Sequence, residues 1–410
     1  MNKQKLSIAM ISIHSSPLGD LGTRDNGGMS VYIRELAREL GRRGHRIDIF
    51  TRAAHPGDPE IVLLAPRVRL VHIKVPRAGR AFKEKLYPYL DDFFLGIEGF
   101  RQRQRLRYDA VHSHYWLSGC IGGKAGACWD VPHLTTFHTL GLMKNKTGKG
   151  LHEPELRIAT EKLIARSCSR ILVGTAREQY NLARHYHVPK SRIGIVACGV
   201  DLKLFRPLDR IAARRSLGFS QQEKILLYVG RFDPLKGISR VLEAVSLLRH
   251  ISVRFVIVGG DGHDHPEMLR LRALARELSL GGAVRFEGRM EQRRLPLYYS
   301  AADLFAMPSL YESFGIVALE SLACGTPVIA TPVGALDSII KKNLNGCIVK
   351  NPTPAAFARA IKAYVAEGCE LPRDAVRESV AGFTWAHAAD HMIDEYRAAL
   401  ARYCKARLSH

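Results

Sequence analysis

The sequence predicts an α/β chain in two halves, each alternating strand and helix in the manner of a parallel sheet. Two observations carry this. Short apolar runs recur along the chain, each followed by a Gly-rich loop and then a stretch with helical spacing. That alternation stops at a Gly199-Val200-Asp201 to Phe205-Arg206-Pro207 crossing and then starts afresh. At 410 residues there is enough chain for two separate cores. The expected division is residues 1–200, with a returning tail at 385–410, and residues 201–384.

Composition bounds the class. Apolar residues make up 46% and charged residues 24%, which is ordinary for a soluble globular protein. The formal net charge is +22. Its excess is mostly N-terminal: residues 1–200 hold 32 Lys and Arg against 17 Asp and Glu, and the rest 29 against 22. Such a field favours anionic partners, phosphates or an acidic membrane surface. No nucleic-acid motif accompanies it, so nucleic acid is not an expected partner. Eight cysteines are scattered without a Cys-x-x-Cys pair, which fits reduced thiols in a cytoplasm rather than a disulfide frame or zinc site. No apolar stretch approaches the roughly 20 residues of a membrane span. The expected location is cytoplasmic, with peripheral contact at the inner membrane face left open.

Taken in order, Leu6–Ile13 reads as a first buried strand. A Gly/Pro/Asp-rich loop then opens at Gly27-Gly28 into a helix whose Met29, Ile33, Leu36 and Leu40 share one face. Strand, glycine loop and helix form a phosphate-cradling arrangement, although a plain tight turn explains the glycines equally well. Arg46–Phe50 and Arg69–Val75 read as strands. Arg101, Arg103, Arg105 and Arg107 read as a solvated helix face. Ala110–His114 is a strand with His112 and His114 on one face, where a metal could bind, but no third ligand lies nearby in sequence. Leu134–Thr139 is expected to be a strand with His138 at its carboxyl end, the place where an α/β site puts a functional group. Glu153–Arg166 reads as a helix, and Ile171–Gly174 and Ile193–Val196 as the last strands of this half.

In the second half, Ile225–Val229 is a strand leading into GRFDPLKG. Arg231 and Lys236 flank that turn, and Gly237 precedes the helix Ile238–Leu248. Two cations at a strand end suit a diphosphate. Surface charge near a turn is the alternative. Val253–Val258, Val284–Glu287, Leu304–Met307 and Val328–Thr331 continue the strands. His263, Asp264 and His265 look like metal ligands but fall in a glycine loop and read as solvated. From Thr384 the tail is helical, with Trp385, Ala388, Ala389, Met392 and Tyr396 in one stripe that should pack on the first domain.

The chain is organised around Tyr311–Ala330, YESFGIVALESLACGTPVIA. It reads as loop, helix, turn and strand. Glu312 sits in the loop and Glu320 about two turns into the helix. Gly315 permits close approach of backbone to a ligand, and the free N–H groups of the helix start point at it.

These residues carry a resemblance. GGMSVYI, HSHYWLSG, TFHTL, GRFDPLKG and YESFGIVALE stand in order over nearly the whole chain. Together they resemble the retaining GT-B glycosyltransferases of the family 4 type, the group that includes sucrose-phosphate synthases and D-inositol-3-phosphate glycosyltransferases. The resemblance implies a GT-B fold, two Rossmann-like parallel-sheet domains facing each other across a cleft, whose C-terminal helix crosses back to the first domain. It implies transfer of a hexosyl unit from a nucleotide-sugar, a UDP-sugar being the expectation, to an anionic small-molecule acceptor without a metal or other cofactor.

Roles follow residue by residue from that resemblance. Glu320 would hold the ribose. Arg231 and Lys236 would neutralise the diphosphate, with Gly27, Gly28 and Arg289 beside it. Glu312 and the amides around Phe314 and Gly315 would bind the transferred sugar. His138 would contact it near the anomeric carbon. In the inositol-phosphate members, residues matching Lys83, Tyr115, Thr139 and Arg157 bind the acceptor phosphate. The motif usually reads GGMN, and this chain carries Ser30 instead of the Asn. A lipid-linked or polysaccharide acceptor, a GT-B sugar-nucleotide epimerase and a non-catalytic binder of anionic polymer or membrane are the competing readings.

Overall fold

A computed structural model describes residues 4–22, 26–78, 83–150, 152–248, 250–260, 265–366 and 371–408. Two sheets account for all the described strands. The first contains β1 Ser7–Ile11, β2 Arg46–Arg52, β3 Ile61–Ala65, β4 Val68–Ile73, β5 Ala110–His114, β6 His133–Thr136, β7 Arg170–Val173 and β8 Ile193–Ile195. The second contains β9 Lys224–Val229, β10 Val253–Val258, β11 Val284–Gly288, β12 Leu304–Met307, β13 Val328–Ala330 and β14 Gly346–Ile348. These are two parallel-sheet, Rossmann-like domains.

Strand order explains where a ligand can bind. The second sheet runs β11-β10-β9-β12-β13-β14, all parallel, so the order reverses between β9 and β12. The first runs β3-β4-β2-β1-β5-β6-β7-β8 and reverses between β1 and β5. Loops leaving the carboxyl ends of neighbouring strands diverge at such a reversal and leave a crevice. Most candidate residues follow β1, β5 and β6 in one sheet and β9 and β12 in the other, while Lys83 follows β4 and Arg289 follows β11.

Two strands were not read from the sequence. β3 pairs antiparallel with β4 at the sheet edge, with Leu63 69% exposed. An edge strand with a solvated face lacks the apolar run that marks a buried parallel strand. β14 is only three residues long. A third difference concerns β6, which ends at Thr136 rather than Thr139. Thr139 N donates to Phe137 O at 2.7 Å, closing a three-residue turn that lifts His138 out of the sheet. His138 takes φ 58° to do so.

The tail packs where its apolar stripe required. Trp385, Ala388, Ala389, Met392 and Tyr396 of the helix Trp385–Leu408 are all buried. Arg43 Nε donates to Asp390 Oδ1 at 2.7 Å and Arg170 NH2 to Glu395 Oε1 at 2.9 Å, so the helix is clamped to the first domain. The basic run at 101–107 is only partly helical. The helix Leu90–Arg103 stops before Arg105, which has φ 50°. Arg101 is not simply solvated: it pairs with Glu98 at 2.7 Å and lies 5.5 Å from the Trp129 ring centroid.

Candidate active site

One cleft of about 330 Å³ lies between the two sheets, within the range of small-molecule sites. His138, Arg231, Lys236, Glu312, Gly27, Gly28, Arg289, Phe314, Gly315, Glu320, Lys83, Tyr115, Thr139 and Arg157 all line it. Every residue given a donor-binding, acceptor-binding or catalytic role is therefore brought to the same place.

The second-domain wall is built by two glycine turns. After β9, Asp233 caps a short 3-10 turn, Pro234–Lys236, by accepting from Leu235 N at 2.9 Å. Gly237 then adopts φ 66°, and a Cβ there would lie 2.3 Å from Pro308 O, so no other residue fits. That turn aims Lys236 at Glu312, and the two form an ion pair. Ser309 Oγ donates to the same Glu312 oxygen at 2.9 Å. After β12, Gly315 takes φ 109° and caps the helix Ile316–Ala323. A Cβ on Gly315 would meet Leu336 at 2.9 Å, so the glycine also serves packing within the protein. Glu320 is the fifth residue of that helix, a little more than one turn in rather than two.

Glu320 is buried, and burial pushes its carboxyl up to about 7. The Tyr299 hydroxyl donates to Oε2 at 3.0 Å, and Gln292 Nε2 to Oε1 at 3.4 Å. Gln292 in turn accepts from Arg34 NH2 at 2.5 Å, which links the domains. A second link is Leu140 N donating to the Tyr311 hydroxyl at 3.0 Å. A third pairs Arg289 with Asp20 at 2.7 Å. Arg231 runs beside Gly27, whose Cβ position lies 3.7 Å from its Nε.

The first-domain wall carries a buried ion network. Arg157 is 2% exposed. It donates Nε to Glu161 Oε1 at 2.7 Å and NH2 to Thr139 O at 2.8 Å and Oγ1 at 2.9 Å, and pairs with Glu153 at 2.7 Å. Its guanidinium lies 4.7 Å from the Tyr115 ring centroid. His138 Nε2 and His114 Nδ1 are 3.0 Å apart, and Tyr32 meets the His138 ring edge-on at 5.1 Å. Burial pushes the His138 imidazole down to about 3, so it is neutral at physiological pH.

The other histidines separate by partner. His112 is hydrogen-bonded by both nitrogens, to the Tyr396 hydroxyl and Thr136 Oγ1, each at 2.9 Å, which is a structural arrangement. His265 caps the helix Pro266–Glu277, while His263 and Asp264 lie outside the described residues. Among the described residues no group of three or more His, Cys, Asp or Glu is placed to hold a metal. Nor is any described helix long and apolar enough to cross a membrane.

Among the residues that escaped the sequence reading are His14 and Gln292, which line the cleft, and Tyr299, which is buried behind Glu320. Tyr299 and Gln292 come from a separate helix and turn, with no local pattern to mark them. His14 could have been found, because it follows the first strand just as His138 follows β6.

Two Rossmann-like domains whose switch points face one cleft, with cations on both walls, define a GT-B glycosyltransferase. Residues 26–204 match the model described as Glycosyltransferase Family 4, and residues 209–379 match Glycosyl transferases group 1. The chain belongs to this glycosyltransferase family. It is 37% identical to the D-inositol 3-phosphate glycosyltransferase of Geodermatophilus obscurus, over 96% of this chain and 89% of that one. Among solved structures it is similar to sucrose-phosphate synthase from Thermosynechococcus elongatus, at 32% identity and a TM-score of 0.90, covering 97% of this chain and 100% of that one. The Anabaena protein HepE, solved in complex with UDP-glucose, shares the fold at 16% identity and a TM-score of 0.75, covering 96% of this chain and all of that one.

Proposed function

We propose that this glycosyltransferase moves a hexosyl unit from a UDP-sugar to a hydroxyl of a sugar phosphate or inositol phosphate, with retention of anomeric configuration. The observation that carries this reading is the presence of cations on both walls of the cleft. Arg231 and Lys236 come from one domain, and Lys83, Lys144 and Arg157 from the other. A donor diphosphate engages only the first pair, so the second set suits an anionic acceptor. The names of the relatives support both halves: one acts on an inositol phosphate, another is a sucrose-phosphate synthase, and a fold neighbour holds UDP-glucose.

In this reading the bond between the anomeric carbon and the leaving phosphate oxygen breaks. Negative charge builds on the diphosphate and oxocarbenium character on the sugar. Arg231 and Lys236 stabilise that charge where it develops, an effect worth about 3–4 kcal/mol per well-placed group. Glu320 holds the ribose hydroxyls. Glu312 and the amides of Phe314 and Gly315 hold the sugar. The acceptor oxygen attacks the same face, and its proton passes to the departing phosphate oxygen. His138, being neutral, offers a hydrogen bond near the reacting carbon without adding charge. The path requires no metal ion.

Nucleoside diphosphate release across a panel of nucleotide-sugars is the test, with inositol 1- or 3-phosphate, fructose 6-phosphate, their dephosphorylated forms and lipid acceptors. Release that depends on a phosphorylated acceptor, with product retaining the donor's anomeric configuration by NMR, is expected. Release only with lipid acceptors would overturn the small-molecule reading.

A further inference from the structure

His114 ends β5 beside Thr136, its register partner on β6, and the left-handed turn after β6 brings His138 against it. The His114 side chain is fully buried, and its ring makes one hydrogen bond, between Nδ1 and His138 Nε2 at 3.0 Å. The two rings lie 5.2 Å apart, centroid to centroid, tilted by 32°. Tyr32 meets both edge-on, at 6.0 Å from His114 and 5.1 Å from His138. The pair is thus held in one geometry, yet the reaction above gives His114 no part.

The protons on this pair can be placed. Burial holds both imidazoles below their usual range, His138 down to about 3, so each ring is neutral and carries one proton. Two arrangements satisfy that count. Either His138 Nε2–H donates to His114 Nδ1, or His114 Nδ1–H donates to His138 Nε2. The first would leave the remaining His114 proton on Nε2, which is fully covered and has no hydrogen-bond partner. The second leaves only a bare lone pair there. An orphaned buried N–H is rarer than an orphaned acceptor, so the second arrangement holds. His138 then carries its proton on Nδ1. That nitrogen is not fully covered, bonds to none of the described residues and belongs to a residue lining the cleft. His112, one register step back on β5, differs: both its nitrogens are partnered, to Tyr396 and Thr136, and neither reaches the cleft wall.

We propose that His114 is a positioning residue that fixes the tautomer of His138, donating Nδ1–H to His138 Nε2 so that His138 presents Nδ1–H to the cleft. The second histidine turns the first from an acceptor into a donor. A donor at that point can bond an oxygen of the transferred sugar, whereas the other tautomer would offer a lone pair. The tautomer is a property of the empty protein. Its use during transfer rests on the function proposed above.

The test is two-bond 1H–15N NMR of histidine-labelled protein, which distinguishes the two neutral tautomers, on wild type, His114→Phe and His114→Asn. The signal lost in His138→Asn assigns His138. Phe keeps a ring in the buried slot and removes the donor; Asn places an amide N–H close to the position of Nδ1. UDP affinity serves as the folding control. Wild-type His138 is expected as the Nδ1–H form. In His114→Phe it should move toward Nε2–H while kcat falls about five- to tenfold, with acceptor KM within about twofold of wild type and partial recovery of both readouts in His114→Asn. Wild-type His138 in the Nε2–H form would overturn the proposal whatever the variants do. So would an unchanged tautomer in a folded His114→Phe protein, or a shifted tautomer with kcat within about twofold of wild type. The NMR arm needs no turnover, so a wild-type protein with the Nδ1–H form that transfers nothing to a phosphorylated acceptor would overturn that function and leave the His114–His138 tautomer standing.

Discussion

The Tyr299 hydroxyl donates to Glu320 Oε2 at 3.0 Å, and both residues are buried. Burial raises the Glu320 carboxyl from its ordinary 4.5 to about 7. The folded state thus favours the protonated acid. The stability this group contributes is complete below pH 4.5 and is lost as pH rises through about 7. Glu320→Gln keeps the Tyr299 bond and removes the ionisable group. It should leave the thermal midpoint unchanged near pH 4.5 and raise it at pH 8, where the gain in stability is on the order of 3 kcal/mol. Melting curves of both proteins across that range are the check.

The same carboxylate should set the pH dependence of donor binding. Ribose hydroxyls donate to an ionised carboxylate better than to a neutral acid. UDP affinity should therefore fall as pH drops below about 7, by up to tenfold per unit, and the Gln variant should bind weakly at every pH. Calorimetric titration with UDP from pH 5.5 to 8.5 reads this directly.

Lys236 and Glu312 form an ion pair across the donor wall. In the proposed reaction Lys236 faces charge that grows on the diphosphate. Lys236→Ala should lower kcat by about 100- to 1,000-fold. The expected change in thermal midpoint is modest, since both partners keep some contact with solvent and Ser309 still donates to Glu312 once the lysine is gone. Steady-state kinetics beside a melting curve separates the two effects.

Much of this site was legible because its parts are local. Gly237 and Gly315 mark the turns, Lys236 and Glu312 lie beside them, and a parallel sheet delivers both loops to one edge. What was not legible depends on distant partners. Arg157, Glu153 and Glu161 stand at helical spacing, but their burial comes from Thr139 and from Tyr186, which donates to Glu161 at 2.6 Å. Leu134–Thr139 reads as a strand throughout, whereas the chain turns at Phe137. The ionisation of Glu320 depends on Tyr299 and on depth, neither of which its motif encodes.

That network predicts a contrast on the acceptor wall. Arg157 and Glu161 are 2% and 0% exposed. Arg157→Ala leaves Glu161 buried without its cation and should destabilise the protein by about 3–5 kcal/mol. Its lost activity would then mix folding with recognition. Lys83 sits on a short 3-10 turn and is half-buried, whereas Arg157 is almost wholly buried on a longer helix. Lys83→Ala should hold the thermal midpoint within about 2 °C, equivalent to about 0.5–1 kcal/mol, while raising acceptor KM at least tenfold. Chemical denaturation for both variants, with acceptor kinetics for Lys83→Ala, checks the pair.

His138 tests whether the cleft works without histidine acid–base chemistry. Its backbone sits at φ 58°, in the left-handed region, at a cost of about 1 kcal/mol or more. A histidine held there by a turn and by His114 is fixed in place rather than free to exchange protons with solvent. Burial pushes it down to about 3, so it does not titrate between pH 5 and 9. The profile of kcat against pH should therefore show no limb that belongs to His138. His138→Asn, which tolerates left-handed backbone, should lower kcat while leaving the shape of that profile unchanged. A wild-type limb near pH 6.5 that disappears in His138→Asn would assign the histidine a proton-transfer role instead. The measurement is kcat for wild type and variant at saturating donor and acceptor across that range.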